Sequence, residues 1–384
     1  MESSALIYLT LMAVTLFLAL FVKRPFPVLS CAGERREAHR IRTRQDARNT
    51  AAEVAIYLLL TGVSACRIAV GNDYWVYRFN FNLIAQNRHV SSEYGFNAIV
   101  YGIQKLFGYD RYLPVFAFFS ILTVLFFCLA LHAQSASFLF SLYLLLTGGY
   151  YFNSLNSVRY YLALAIALYA MRFCMEQRYL AFFFWILLGA NFHKSILLVI
   201  PVYLTALFLS RVRLRKWMLI PLAAFLLSLL FAQDLYRELI FRFYPYYRDS
   251  AFDVANISYG NLAKCGAALL MTVLFGREAW KKDAAVRFYL LLNLMGLVVV
   301  CCGSFVPEAS RIAYYMIISQ VFLLPRVILL LPEEGKTLGI PNPVLRKLLS
   351  AGIVLAFALF FAFFLRRMYD IDIRLLPYRN WIFQ

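Results

Sequence analysis

Hydrophobic residues run in long blocks along this chain, and polar residues gather in short segments between them. Blocks near membrane-spanning length cover 5–22, 54–70, 112–133, 137–152, 157–173, 179–192, 195–210, 217–232, 260–275, 286–302, 311–331 and 348–365. Lipid offers the backbone no hydrogen bonds, so a chain buried in it has to satisfy its own, and such blocks predict helices. The pattern therefore predicts an all-α fold, a polytopic transmembrane helical bundle of about 12 spans with some short or re-entrant helices. Residues 94–107, YGFNAIVYGIQKLF, are too short and too polar for a crossing and read as an interfacial or re-entrant helix. The two blocks around ANFHKS are short, and their polar centre predicts two broken helices meeting at one face. The first block lacks a basic leader and a clear cleavage site and is expected as the first span.

Composition sharpens this picture. Of 384 residues, 62% are hydrophobic and 15% charged, whereas a soluble domain carries roughly a quarter charged residues. No polar stretch is long enough to bury its own core, so residues 1–384 are expected to form a single integral membrane domain. The net charge of +18 lies between the blocks, which fits loop bias and attraction to anionic lipid and disfavours nucleic acid as a partner. The dense basic loop 23–53 is expected in the cytoplasm. Alternation then puts the basic segments 211–216, 276–287 and 332–347 on the same side and the N-terminus outside. The outer face collects the 71–111 loop with its interfacial helix, NSLNSVR, NFHKS, the 233–259 loop, SFVPEASR and the C-terminal tail. Asp73, Glu93, Arg159, His193, Lys194, Glu308 and Arg311 all fall there, so chemistry is expected outside.

Cys31, Cys66, Cys128, Cys174, Cys265, Cys301 and Cys302 lack zinc-type spacing, and His39, His89, His132 and His193 form no HxxxH or HxH pair. Neither metal nor cofactor is expected. There is no GxxxxGK[ST] loop, no GxGxxG after a strand and no GxSxG elbow, which disfavours ATP-driven transport and a Rossmann-type nucleotide-sugar site. If sugars are joined here, a donor delivered within the membrane, a lipid diphosphate, is the natural one.

Asn153, Asn156 and Arg159 recur every three residues and fall close to one helical face. Arginine at a helix end ordinarily snorkels to the interface. The alternative is a fixed cation for phosphate, since the planar guanidinium stays charged and donates bidentate hydrogen bonds. Asn153, Ser154, Asn156 and Ser157 are polar companions suited to sugars or phosphate oxygens. Arg311 opens the eleventh block in the same way, either as a second cation or as a local ion pair with Glu308. His193 is either a polar anchor or the side chain best matched to proton transfer near neutral pH, and Lys194 adds a positive charge beside it. Asp73 is either a turn residue after Gly71-Asn72 or a carboxylate for a sugar hydroxyl. Glu93 opens a helix, a commonplace site for an acid, and is the other candidate base. The aromatic clusters DYWVYRFNF, GGYYF, RFYPYYRD and YRNWIF suit either a membrane belt or sugar stacking.

The segments GNDYWVYRFNF…SSEYGFNAIVYGIQKLFGYD, NSVRYYLALAIALYAMRF, GANFHKSILLVIPVYL, SRIAYYMIISQVFLLP and LLPYRNW resemble, in order from about Tyr57 to Tyr378, the EpsG family, akin to the Wzy-type polymerases of bacterial surface polysaccharides. Gly71, Asp73, Tyr74, Glu93, Gly95 and Phe96 match its first two elements. Asn156 and Arg159 match the third, with Tyr160 where Gln is common. Phe192, His193 and Ser195 match the fourth, and Arg311 and Tyr315 the last. The resemblance implies transfer of a growing glycan from a polyprenyl diphosphate to a lipid-linked repeat unit, at the outer face of the bacterial cytoplasmic membrane. On that reading Arg159, Arg311, Asn156, Tyr74, Lys194 and Tyr315 bind substrate, and Asp73, Glu93 or His193 is the base. The implied partners are polyprenyl-diphosphate-linked oligosaccharide, membrane lipids, a chain-length regulator and a flippase. A ligase or acyltransferase acting once at the same face, and a flippase for lipid-linked sugars, are the alternatives. Sparse charges within the blocks weigh against the last.

Overall fold

The computed structural model describes residues 2–26, 43–212, 227–229, 231–243, 245, 248–250, 257–303, 305–306, 308–369 and 374–382. The predicted block 217–232 lies mostly outside these residues, as do 27–42 of the basic loop and 251–256 of the 233–259 segment. The described chain is helical almost throughout. In order it forms α1 (Glu2–Ala19), α2 (Arg44–Ala65), α3 (Tyr74–Ala85), α4 (Tyr94–Phe107), α5 (Leu113–Gln134), α6 (Phe138–Thr147), the single turn α7 (Tyr150–Asn153), α8 (Val158–Met175) and α9 (Tyr179–Ala190). A 3-10 turn, Lys194–Leu198, leads into α10 (Val199–Arg211), followed by α11 (Gln233–Phe243), α12 (Tyr259–Phe275), α13 (Arg277–Lys282), α14 (Ala284–Cys302), α15 (Ala309–Ile317) and α16 (Gln320–Leu329). A hairpin pairs β1 (Lys336–Thr337) with β2 (Ile340–Pro341), and α17 (Asn342–Arg367) closes the order.

Among the described residues, six helices are long and apolar enough to cross a membrane, joined by shorter apolar helices that include Phe138–Thr147, Tyr179–Ala190 and Tyr259–Phe275. The protein is a multi-pass helical membrane protein. Most predicted blocks appear as helices, with instructive differences at their ends. The block at 54–70 begins earlier, inside the predicted basic loop, because Thr43 and Asp46 form a reciprocal cap: Asp46 N–H donates to Thr43 Oγ1 at 3.2 Å and Thr43 N–H to Asp46 Oδ2 at 2.9 Å. The block at 137–152 is broken by Gly148-Gly149, where Gly149 adopts φ +81, a conformation glycine tolerates without steric cost. The block at 311–331 is α15 and α16 with an interruption at Ile318-Ser319.

The chain divides into two compact units, Met1–Leu197 with Glu333–Gln384, and Leu198–Pro332. In the first unit α8 is the axis. Val158–Met175 is buried on nearly every side, and its packing on α5 and α9 is close because Ala163, Ala165, Ala167 and Ala170 present no bulk. Polar links between helices satisfy groups that lipid leaves bare: Gln134 Nε2 donates to Leu168 O at 2.8 Å, and Tyr151 Oη to Leu60 O at 2.7 Å. In contrast, α17 is mostly exposed, as a lipid-facing helix would be.

In the second unit, Cys265, Val300, Ala313 and Ile317 form an apolar core between α12, α14 and α15. Asn293 crosses that core, donating to Cys265 O at 3.0 Å and accepting from Gln320 Nε2 at 2.6 Å. At one end of α14, Asp283 caps the helix by accepting from Ala285 N–H at 2.8 Å and pairs with Arg326 at 2.8 Å.

Candidate functional site

Three helix beginnings of the first unit converge on one carboxylate. Glu93 stands at the cap of α4, where extended backbone (φ −62°, ψ 142°) turns the chain into the helix. Its Oε1 accepts the Lys194 N–H at 3.0 Å, and its Oε2 accepts from Arg159 Nη1. Arg159 lies in the first turn of α8, with its guanidinium carbon 5.4 Å from the centre of the Phe96 ring. Its backbone N–H donates to Tyr77 Oη at 3.4 Å. Both oxygens of Glu93 are therefore committed to holding α8 and the turn after α9 beside α4. The pair is partly buried, Arg159 at 24% exposure and Glu93 at 15%, where a charge-assisted bond is stronger than in open water.

The glycines make this convergence possible. A side chain at Gly95 would place its Cβ 2.6 Å from that of Asn191, so only glycine lets α4 press on the turn after α9, where Phe96 N–H donates to Asn191 O at 3.0 Å. At Gly71 (φ +98) a Cβ would sit 2.5 Å from Leu155 O. That approach lets Asn72 N–H donate to Asn156 Oδ1 at 2.7 Å, tying the Gly71-Asn72-Asp73 turn to the entrance of α8. Asp73 then opens α3, its carbonyl accepting from Tyr77 N–H at 2.9 Å.

His193 follows α9. Its Nδ1 and Ser195 Oγ are 2.7 Å apart, and its ring stands edge-on to Tyr160 at 5.6 Å, so the imidazole is held from two sides. Tyr74 is nearly buried, stacked on Phe116 at 4.6 Å and 10°.

Within one unit, Glu93 thus joins Arg159 and the Lys194 N–H directly, Asn156 is tied to the turn that carries Asp73, and His193 stands beside Tyr160. Arg311 and Tyr315 belong to the second unit. There Arg311 Nε lies 2.9 Å from Glu308, the local i,i+3 ion pair foreseen as one of its two readings. Tyr315 is buried in α15, and its carbonyl accepts from Tyr203 Oη at 2.8 Å. Sequence reasoning passed over Tyr77, whose position one turn after Asp73 was the available signal, and Asn191, which carried none. It also passed over Lys264, a lone lysine in an apolar helix whose Nζ lies 5.9 Å from the Tyr314 ring centre. Among the described residues no group of three or more His, Cys, Asp and Glu is placed to hold a metal ion.

What the arrangement offers chemically is a fixed guanidinium with donors beyond the one given to Glu93, an oriented imidazole, and amide and carboxylate groups sized for sugar hydroxyls. A family model described as the EpsG family matches residues 52–380. No curated protein and no solved structure matches the chain.

Proposed function

Because the chain belongs to the EpsG family, we propose that its polysaccharide-polymerase-like role is transfer of a growing glycan from a polyprenyl diphosphate carrier to a lipid-linked repeat unit, at the outer face of a bacterial cytoplasmic membrane. The observation that supports this most is the Glu93–Arg159–Lys194 junction, which orients an arginine without closing it off. Arg159 binds the diphosphate and stabilises the charge that grows on it as the bond to the anomeric carbon breaks. The acceptor hydroxyl oxygen attacks that carbon from the opposite side, which inverts its configuration. His193, oriented through Ser195, takes the hydroxyl proton, while Asp73 and Asn156 hold sugar hydroxyls. Glu93 is a positioning residue in this scheme, since both of its oxygens already serve Arg159 and Lys194. Arg311 and Lys264 are assigned to the same class of anionic ligand on their chemistry alone. The outer-face placement is supported by the basic character of 276–287 and 332–347, expected on the cytoplasmic side.

The test is purified protein in nanodiscs given lipid-linked repeat units. A ladder of lengthening products in wild type, absent in Arg159→Ala at equal protein level, is the expected result. A single addition with no ladder would make the protein a one-step transferase. Exchange of substrate between leaflets without any bond formed would make it a flippase.

A further inference from the structure

The C-terminal segment returns to the first unit and lies along the residues that lead into the Gly71-Asn72-Asp73 turn. Arg67 and Asn380 form an antiparallel bridge. Trp381 N–H donates to Cys66 O at 3.1 Å, Ile68 N–H to Arg379 O at 2.9 Å, and Gly71 N–H to Arg374 O. Side chains fasten the same segment: Tyr378 Oη donates to Val63 O at 2.8 Å, and Tyr8 Oη to Leu375 O at 2.9 Å. The Tyr8 and Tyr378 rings meet edge-on at 5.4 Å.

Beneath the strap lies Arg67, with 1% of its surface exposed. Its Nη1 donates to Ser120 Oγ at 2.9 Å and to Ser64 O, and its guanidinium carbon is 5.2 Å from the centre of the Phe116 ring, on which Tyr74 stacks. A buried cation held this way is costly unless its surroundings are fixed. From the tail, contacts run through Gly71 and Asn72 to Asn156, three residues before Arg159.

We propose that residues 374–382 are a positioning strap of the candidate site, fixing the Gly71-Asn72-Asp73 turn against the entrance of α8. Without the strap the turn loses the acceptors for Ile68 and Gly71 and the cover over Arg67, and Asp73 is no longer held in register with Arg159. The inference rests on the polymerase reading for its functional consequence, but not for its structural one.

The experiment has two readouts on full-length protein and four variants. Hydrogen exchange over residues 66–77 reports the turn, and the product ladder reports function. Deleting 374–384 is expected to speed exchange over 66–77 by about tenfold or more, leave α5 and α8 protected, and abolish the ladder. Tyr378→Phe, which removes one bond, is expected to move both readouts in the same direction by about threefold to fivefold. Trp381→Cys, placed opposite the native Cys66, is expected to form a disulfide on oxidation, retain the ladder, and restore Tyr378→Phe when combined with it. Unchanged exchange over 66–77 in the deletion overturns the proposal, as does a normal ladder, or loss of the ladder on crosslinking. If the deletion loses protection throughout the bundle, Tyr378→Phe and its rescue decide by the same criteria. The exchange readout needs no substrate, so it judges the strap even if wild-type protein makes no polymer.

Discussion

Two of the arginine–carboxylate pairs in this mostly apolar protein differ in almost everything but composition. In the second unit, Arg326 and Asp283 are 2.8 Å apart with only 3% and 13% exposure, and Asp283 also caps α14. In the first unit, Arg159 and Glu93 join helix beginnings far apart in sequence, and Arg159 keeps 24% exposure. The first of these is a closed lock whose groups hold the fold. In the second, the carboxylate ties helix beginnings together while the guanidinium stays partly exposed. Arg24 and Glu53 form a similarly half-open pair, at 27% and 14% exposure, so openness alone does not mark a site; what sets Arg159 apart is that its partner Glu93 also accepts the Lys194 N–H.

Several substitutions put that contrast to the test. The largest effect is expected for Arg159→Ala: folded protein in the membrane, with polymer formation lowered by about a hundredfold or more, read from product ladders. Gly71→Ala comes next, because its Cβ would meet Leu155 O at 2.5 Å on a backbone with φ +98. Activity should fall at least about tenfold, with helical content retained by circular dichroism. Arg326→Ala should do the reverse, costing about 3–5 kcal/mol in thermal unfolding because a buried carboxylate loses its partner. Turnover per folded molecule at low temperature should stay near wild type. The smallest stability effect belongs to Glu308→Gln, which weakens a half-exposed i,i+3 pair and should change stability by less than about 1 kcal/mol. If Arg326→Ala instead removed polymer without loss of stability, the contrast between lock and site would dissolve.

Much of this architecture can be read from residue order. Long apolar blocks become helices because lipid leaves the backbone no alternative, and Asp73, Asn156, Arg159 and His193, which the charge pattern groups on one expected face, lie in one unit. The early start of α2 was also legible, since Thr43-x-x-Asp46 is a capping signal, but the surrounding basic charge masked it as loop. Other features were beyond reach for physical reasons. Glu93 looks like any acid at a helix start, and its role comes from two partners, 66 and 101 positions away. The Tyr378–Val63 bond spans 315 positions and leaves no local periodicity to find. Arg311 and Arg159 look alike in sequence, each an arginine opening an apolar block. Yet one has a carboxylate three residues away, and the other draws its partner from a distant helix.

On the proposed function, Arg159 is held open for an anionic lipid carrier and Arg326 is not. Affinity of purified protein for a polyprenyl-diphosphate-linked oligosaccharide tests it most directly, compared among wild type, Arg159→Ala and Arg326→Ala below their unfolding temperatures. Binding is expected to weaken by about tenfold or more in Arg159→Ala and to stay unchanged in Arg326→Ala. Equal affinity in wild type and Arg159→Ala would contradict it.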